Sequence, residues 1–172
     1  MAQYFQSQWL GAAAAGILLL AVPVLAENRV EHHPGDDRLI GLLTCSADVQ
    51  PSDLASLVQS SALRSVGDDG FELIRPVRTS GICVQRAKVI AAFGVVLVLG
   101  QLCDRNAETL LRVFKKDFQR TPDSLPEGYL FMGKSENGEA TVFRGTETQP
   151  PKPDVTSDVI SYSCARGSNG TQ

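Results

Sequence analysis

Histidine is nearly missing from this chain: only two occur in 172 residues, side by side at His32 and His33. A Ser–His or Cys–His nucleophile pair needs an imidazole positioned by a folded core. These two lie instead in a polar stretch, Glu27 to Asp37, that has no apolar periodicity. The familiar catalytic loops are also lacking, with no G-x-S-x-G, no Walker loop, no G-x-G-x-x-G and no H-E-x-x-H. No cysteines occur as closely spaced pairs, the usual signature of a zinc site. His32 and His33 beside Glu31, Asp36 and Asp37 have the donor types for copper or zinc. Neighbouring residues on a loose leader do not hold a rigid coordination sphere, so neither a metal nor a cofactor is expected. The net charge of −3, with both signs interspersed, lacks the strongly basic face that nucleic-acid binding requires.

Charge is missing altogether from residues 1–26. Trp9 to Ala26 is an almost unbroken apolar run, Pro23 interrupts its helical pattern, and Val24 and Ala26 sit where a signal peptidase needs small or aliphatic side chains. Residues 1–26 therefore read as a signal peptide cut before Glu27, although no Lys or Arg precedes the apolar core. An uncleaved anchor is the competing reading, but about 18 apolar residues lie near the lower limit for a span. The expected location is periplasmic or secreted, with no membrane span left after cleavage.

All four cysteines, Cys45, Cys83, Cys103 and Cys164, fall after the cut. An even count in an exported chain favours two disulfides. Three pairings are possible. Cys83 and Cys103 bracket the long apolar segment and Cys164 ends the last strand-like run, which favours Cys83–Cys103 with Cys45–Cys164.

Residues 27–37 read as a flexible leader and 38–164 as one domain. Arg38 to Cys45 (RLIGLLTC) reads as a short buried strand. Leu54, Leu57, Val58 and Ala62 recur at helical spacing after Pro51 and Asp53, with Gly67 as a stop. Phe71 to Val77 is strand-like up to Pro76. Val89 to Leu99 is valine-rich, which favours one long bent strand or two strands hinged near Gly94. Its uncharged run is too short for a membrane helix.

Asp104 to Thr121 is the clearest helix, with Ala107, Leu110, Leu111, Phe114 and Phe118 on one face and a Glu108–Arg112 pair on the other. Tyr129–Lys134 and Ala140–Arg144 flank Asn137-Gly138. This reads as a hairpin whose type I′ turn needs φ > 0 at Gly138, pairing Met132 with Phe143 and Lys134 with Thr141. Residues 146–154 form a Pro-rich connector, Val155 to Cys164 a last strand with Ile160, Tyr162 and Cys164 on one face, and 165–172 a disordered tail.

Two blocks of strand, Cys, helix, Gly-aromatic and strand repeat along the chain. The expected fold is thus α+β: two helices on a mainly antiparallel sheet, a split βαββαβ-like sandwich with an added C-terminal hairpin and strand, stapled by disulfides.

Functionally, the missing motifs favour a non-catalytic binding domain. Its candidate contact surface is the basic stripe Arg112, Lys115, Lys116 and Arg120, facing another exported protein or an anionic envelope or extracellular surface. The alternative is a small hydrolase using a carboxylate pair drawn from Asp104, Glu127 and Asp158, since carboxylates need no other partner type. The cut after Ala26 is checked by intact mass: the exported species should begin at Glu27 and hold 146 residues. Recovery of a membrane-bound species still beginning at Met1 would establish the anchor instead.

Overall fold

The structure, a computed structural model, describes residues 33, 35–46, 58, 62–68, 70–79, 81–146, 148 and 150–167. Residues 1–26, read as a signal peptide, His32 and most of the segment read as the first helix lie outside them. The described elements run α1 (Asp36–Leu43), β1 (Leu63–Ser65), β2 (Gly70–Leu73), β3 (Val77–Thr79), β4 (Ile82–Ala92), β5 (Val95–Leu102), α2 (Glu108–Asp117), β6 (Gln119–Arg120), β7 (Tyr129–Ser135), β8 (Gly138–Thr146), β9 (Lys152–Pro153) and β10 (Ile160–Gly167). Every ladder is antiparallel. The strand order is β1-β2-β4-β5-β10-β8-β7-β6, with β3 also on β4 and β9 on β8. Two helices on an antiparallel sheet with two disulfides make the fold α+β.

The first departure from the sequence reading is α1. Residues 38–45 were expected as a strand, but Asp36–Leu43 is a helix. Leu39, Ile40, Leu42 and Leu43 are buried, the i, i+1, i+3, i+4 spacing of one helical face. Asp36 and Asp37, assigned by sequence to the leader, form its acidic first turn. An apolar run this short does not separate helix from strand by periodicity alone. Because the expected first strand is this helix, the first β-α-β block of a split βαββαβ sandwich does not form as read.

Val58 is helical, as its spacing indicates, but Leu63–Ser65 is strand β1, so no helix continues to Gly67. Pro76 divides the Phe71–Val77 run into β2 and β3, which lie along the same edge of β4. The apolar segment is the pair β4–β5, turned at Phe93-Gly94, where both φ values are positive (52° and 73°), the signature of a type I′ turn.

The second hairpin forms with its register two residues from the expected one. Met132 pairs with Thr141 and Ser135 with Gly138, and the turn is Glu136-Asn137. Gly138 does not have a positive φ. Glycine is needed there because a Cβ would run into the Ala165 carbonyl of β10. The supposed tail contributes to this packing, since β10 extends through Gly167, whose N–H reaches the Asn137 carbonyl at 2.7 Å. Part of the expected Pro-rich connector pairs as β9 with Gly145 and Thr146.

Helix α2 is shorter than Asp104–Thr121. Asp104 and Asn106 each accept the backbone N–H two residues on, at 3.0 and 2.9 Å, so the chain turns twice before the helix starts. Leu110 and Phe114 are buried, and Phe118, although extended, stays in the core.

The last strand occupies the middle of the sheet, between β5 and β8. Tyr162 of β10 stands opposite Gly100 of β5 and Val142 of β8. Its ring is fully buried and meets Phe114 edge-on, with centroids 6.0 Å apart. A Cβ on Gly100 would overlap that ring, which explains a glycine in a central strand. Gly100→Ala should therefore lower stability by about 2 kcal/mol, a typical overpacking cost, read as a shift of the urea midpoint. An unchanged midpoint would rule out this packing account.

Candidate functional site

All four residues of the basic stripe are exposed after folding. Arg112, Lys115 and Lys116 point to solvent from α2, and Arg120 follows from β6. The opposite side of α2 is anchored by Leu110 and Phe114, so burial of the apolar face leaves the cations outside. The expected Glu108 partner does not take Arg112, which donates to Thr109 Oγ1 at 3.2 Å. The ion pairs between described residues are Arg64–Glu72, Arg75–Asp36 and Arg105–Asp158, and none includes a stripe residue. Lys116 also borders a shallow surface depression with Phe118, Glu136, Asn137 and Arg166.

The three carboxylates do not assemble into an enclosed site. Asp104, Glu127 and Asp158 are all exposed. Asp158 is paired with Arg105 at 2.6 Å, and Asp104 accepts the Asn106 amide. A general acid for glycoside-type chemistry requires a carboxyl set in an environment that favours its neutral form, and these groups are placed in water. Among the described residues no group of three or more His, Cys, Asp or Glu side chains could hold a metal ion.

The buried carboxylate is one the sequence reading left in the leader. Asp36 is 2% exposed and takes both ends of the Arg75 guanidinium, at 2.7 and 3.4 Å, as well as the His33 amide at 3.1 Å. Burial pushes its pKa up, but the Arg75 hydrogen bonds, the His33 N–H and the guanidinium charge together hold it below the ordinary value of 3.8. Beside it Asp37 accepts a hydrogen bond from Thr79, so the first turn of α1 is tied to β3 and to the bend before it. These bonds engage both carboxylate oxygens and anchor the start of α1. The one available signal was an acidic pair three residues before Leu39, a helix-start pattern.

The disulfides join Cys45 to Cys164 and Cys83 to Cys103, with Cα separations of 6.1 and 5.3 Å. Cys45 follows α1 at φ 51°, where glycine is usual, and the Cys45 and Ser46 amides close the helix on the Leu42 and Gly41 carbonyls. The Arg166 guanidinium reaches the Cys45 carbonyl at 2.9 Å, a second tie from β10 to the end of α1.

A scan against protein-family models finds no match, and comparison with curated proteins and with solved structures finds none either.

The Asp36–Arg75 pair makes stability depend on pH in a defined sense. A carboxylate with a depressed folded pKa stabilises above its unfolded value of 3.8, and that contribution disappears as pH falls through the lower folded value. Asp36→Asn should cost about 2 kcal/mol at pH 7. Its denaturation midpoint should converge with that of the parent protein below the folded pKa. A difference that persists unchanged in strong acid would show that the charge is not what Asp36 contributes.

Proposed function

We propose that this chain is an exported, non-catalytic binding domain, acting in the periplasm or outside the cell, that uses Arg112, Lys115, Lys116 and Arg120 to contact an anionic partner. What supports the reading is that all four cations are exposed, three on α2 and Arg120 on β6 just after it, and that none is neutralised by an ion pair with a described residue. A cationic field of this kind attracts an anionic protein face, a glycan or an envelope surface before any specific contact forms. Export is supported by the two disulfides and by the peptidase-type site at Val24-x-Ala26. No helix of the described residues is long and apolar enough to cross a membrane.

The test uses immobilised heparin as a polyanion, with the exported, oxidised protein. Reversal of three charges (Lys115→Glu, Lys116→Glu, Arg120→Glu) should weaken retention at low salt by roughly tenfold or more, at a few tenths to 1 kcal/mol per exposed pair. The gap should close near 1 M salt, where the screening length falls to about 3 Å. Equal retention of parent and variant at low salt would remove this surface from the proposal.

A further inference from the structure

The two disulfides sit in unlike surroundings. Cys45 and Cys164, 3% and 1% exposed, belong to the core cluster and join α1 to β10. Cys83 is buried outside that cluster, and Cys103 is the one cysteine that is only half-buried. Strand alternation accounts for the difference. Ile82 and Val84 of β4 point into the core, so Cys83 between them turns to the opposite face of the sheet. Leu102 shares the face of Gly100 and Tyr162, so Cys103 turns away from the side on which α2 packs.

The bridges also differ in what they hold. Cys45–Cys164 spans 119 residues of sequence. Cys83–Cys103 spans 20, and the β4–β5 ladder already closes that loop from Val84–Leu102 to Ala92–Val95. The Cys103 amide on the Cys83 carbonyl keeps these two residues side by side without the covalent bond. The shorter loop also constrains the unfolded state less. Opening Cys83–Cys103 therefore leaves the fold standing and the two sulfurs placed to reclose.

We infer that Cys83–Cys103 is a thiol-exchange site, which a dithiol reductant opens in the folded protein while Cys45–Cys164 stays closed. A thiolate of the reductant attacks the half-buried Cys103 Sγ. The bond to Cys83 breaks as the new S–S bond forms, and Cys83 leaves as the thiolate. The second thiolate of the reductant then attacks its own sulfur in the mixed disulfide and releases Cys103. Two electrons pass to the protein, the reductant ends as a disulfide, and its two protons go to the protein thiolates. The surroundings fit that direction of attack. Arg78 is the β3 partner of Cys83 and sets a cation on the same face, which favours a thiolate there. Asp104 directly follows Cys103 and disfavours one on that sulfur. The sulfur with the more stable thiolate is the better leaving group. A disulfide oxidant reverses the step by taking the two electrons back.

The test treats the exported, oxidised protein with dithiothreitol, alkylates samples at intervals and maps the labelled cysteines. In native buffer Cys83 and Cys103 should be labelled at least about tenfold faster than Cys45 and Cys164, because exchange rate follows access. In denaturing guanidinium chloride the two bridges should open within a few-fold of each other. Circular dichroism should show the sheet retained after the first bridge has opened. Labelling of all four cysteines together in native buffer, or of Cys45 and Cys164 first, overturns the inference. So does a native preference that persists undiminished in denaturant, since folding would not be its cause. Single variants locate the attacked sulfur. The Cys103 thiol left by Cys83→Ser should be alkylated several-fold faster than the Cys83 thiol left by Cys103→Ser, and the reverse order overturns attack at Cys103.

Discussion

The sheet is held as one body by its last strand. β1 to β5 form a meander and β6 to β8 a smaller unit, and neither pairs with the other directly. β10 enters between them, using both of its edges, with seven-residue ladders to β5 and to β8. Tyr162 then fills the layer between sheet and α2, and the space for its ring exists because Gly100 has no side chain. Cys164, two residues on and on the same face, carries the bond to Cys45 and so brings α1 to that layer. The C-terminal strand thus organises contacts with both halves of the sheet and both helices. Because its partners lie far away in sequence, the loop-closure entropy is large, and a bridge spanning 119 residues offsets part of it through the unfolded state.

Helix α1 is fixed at both ends by unlike interactions. Its start depends on a buried ion pair with Arg75 that reaches across the β2–β3 bend, and its end on a left-handed Cys45 held by the disulfide. A left-handed residue other than glycine is unfavourable by roughly 1–2 kcal/mol, and here the covalent bond to β10 accompanies it. The Cys83–Cys103 bridge acts more locally, closing the open end of the β4–β5 hairpin where the Cys103 amide already meets the Cys83 carbonyl at 2.9 Å.

Some exposed side chains remain outside this framework. The cationic face of α2 and β6 follows from amphipathicity: a helix that buries Leu110 and Phe114 presents Arg112, Lys115 and Lys116 to solvent. Phe93 is exposed at the two-residue turn that ends the β4–β5 hairpin.

Much of the local structure was legible in the sequence. Four cysteines beyond a signal-like segment implied two bridges, and their placement at the ends of apolar runs indicated the observed pairing. Valine content and Gly94 indicated two strands, and the spacing of Leu110, Phe114 and Phe118 indicated α2 together with its cationic outer face. These features depend on short-range chemistry: turn residues, side-chain period and helix amphipathicity. Other features depended on distant partners. Arg38 to Cys45 could bury its leucines as strand or helix, and docking of Asp36 on Arg75 selected the helix. The Asn137-Gly138 pair signalled a hairpin, but its register was set by β10, whose Ala165 carbonyl occupies the space beside Gly138. Asp104, Glu127 and Asp158 read as possible catalytic groups until the fold left each of them in water. Composition and periodicity determined which segments were apolar, which cysteines could bridge and which helix face was charged. Tertiary packing decided the register, the conformation of the ambiguous runs and the burial of each carboxylate, because those depend on which atoms from elsewhere in the chain fill the neighbouring space.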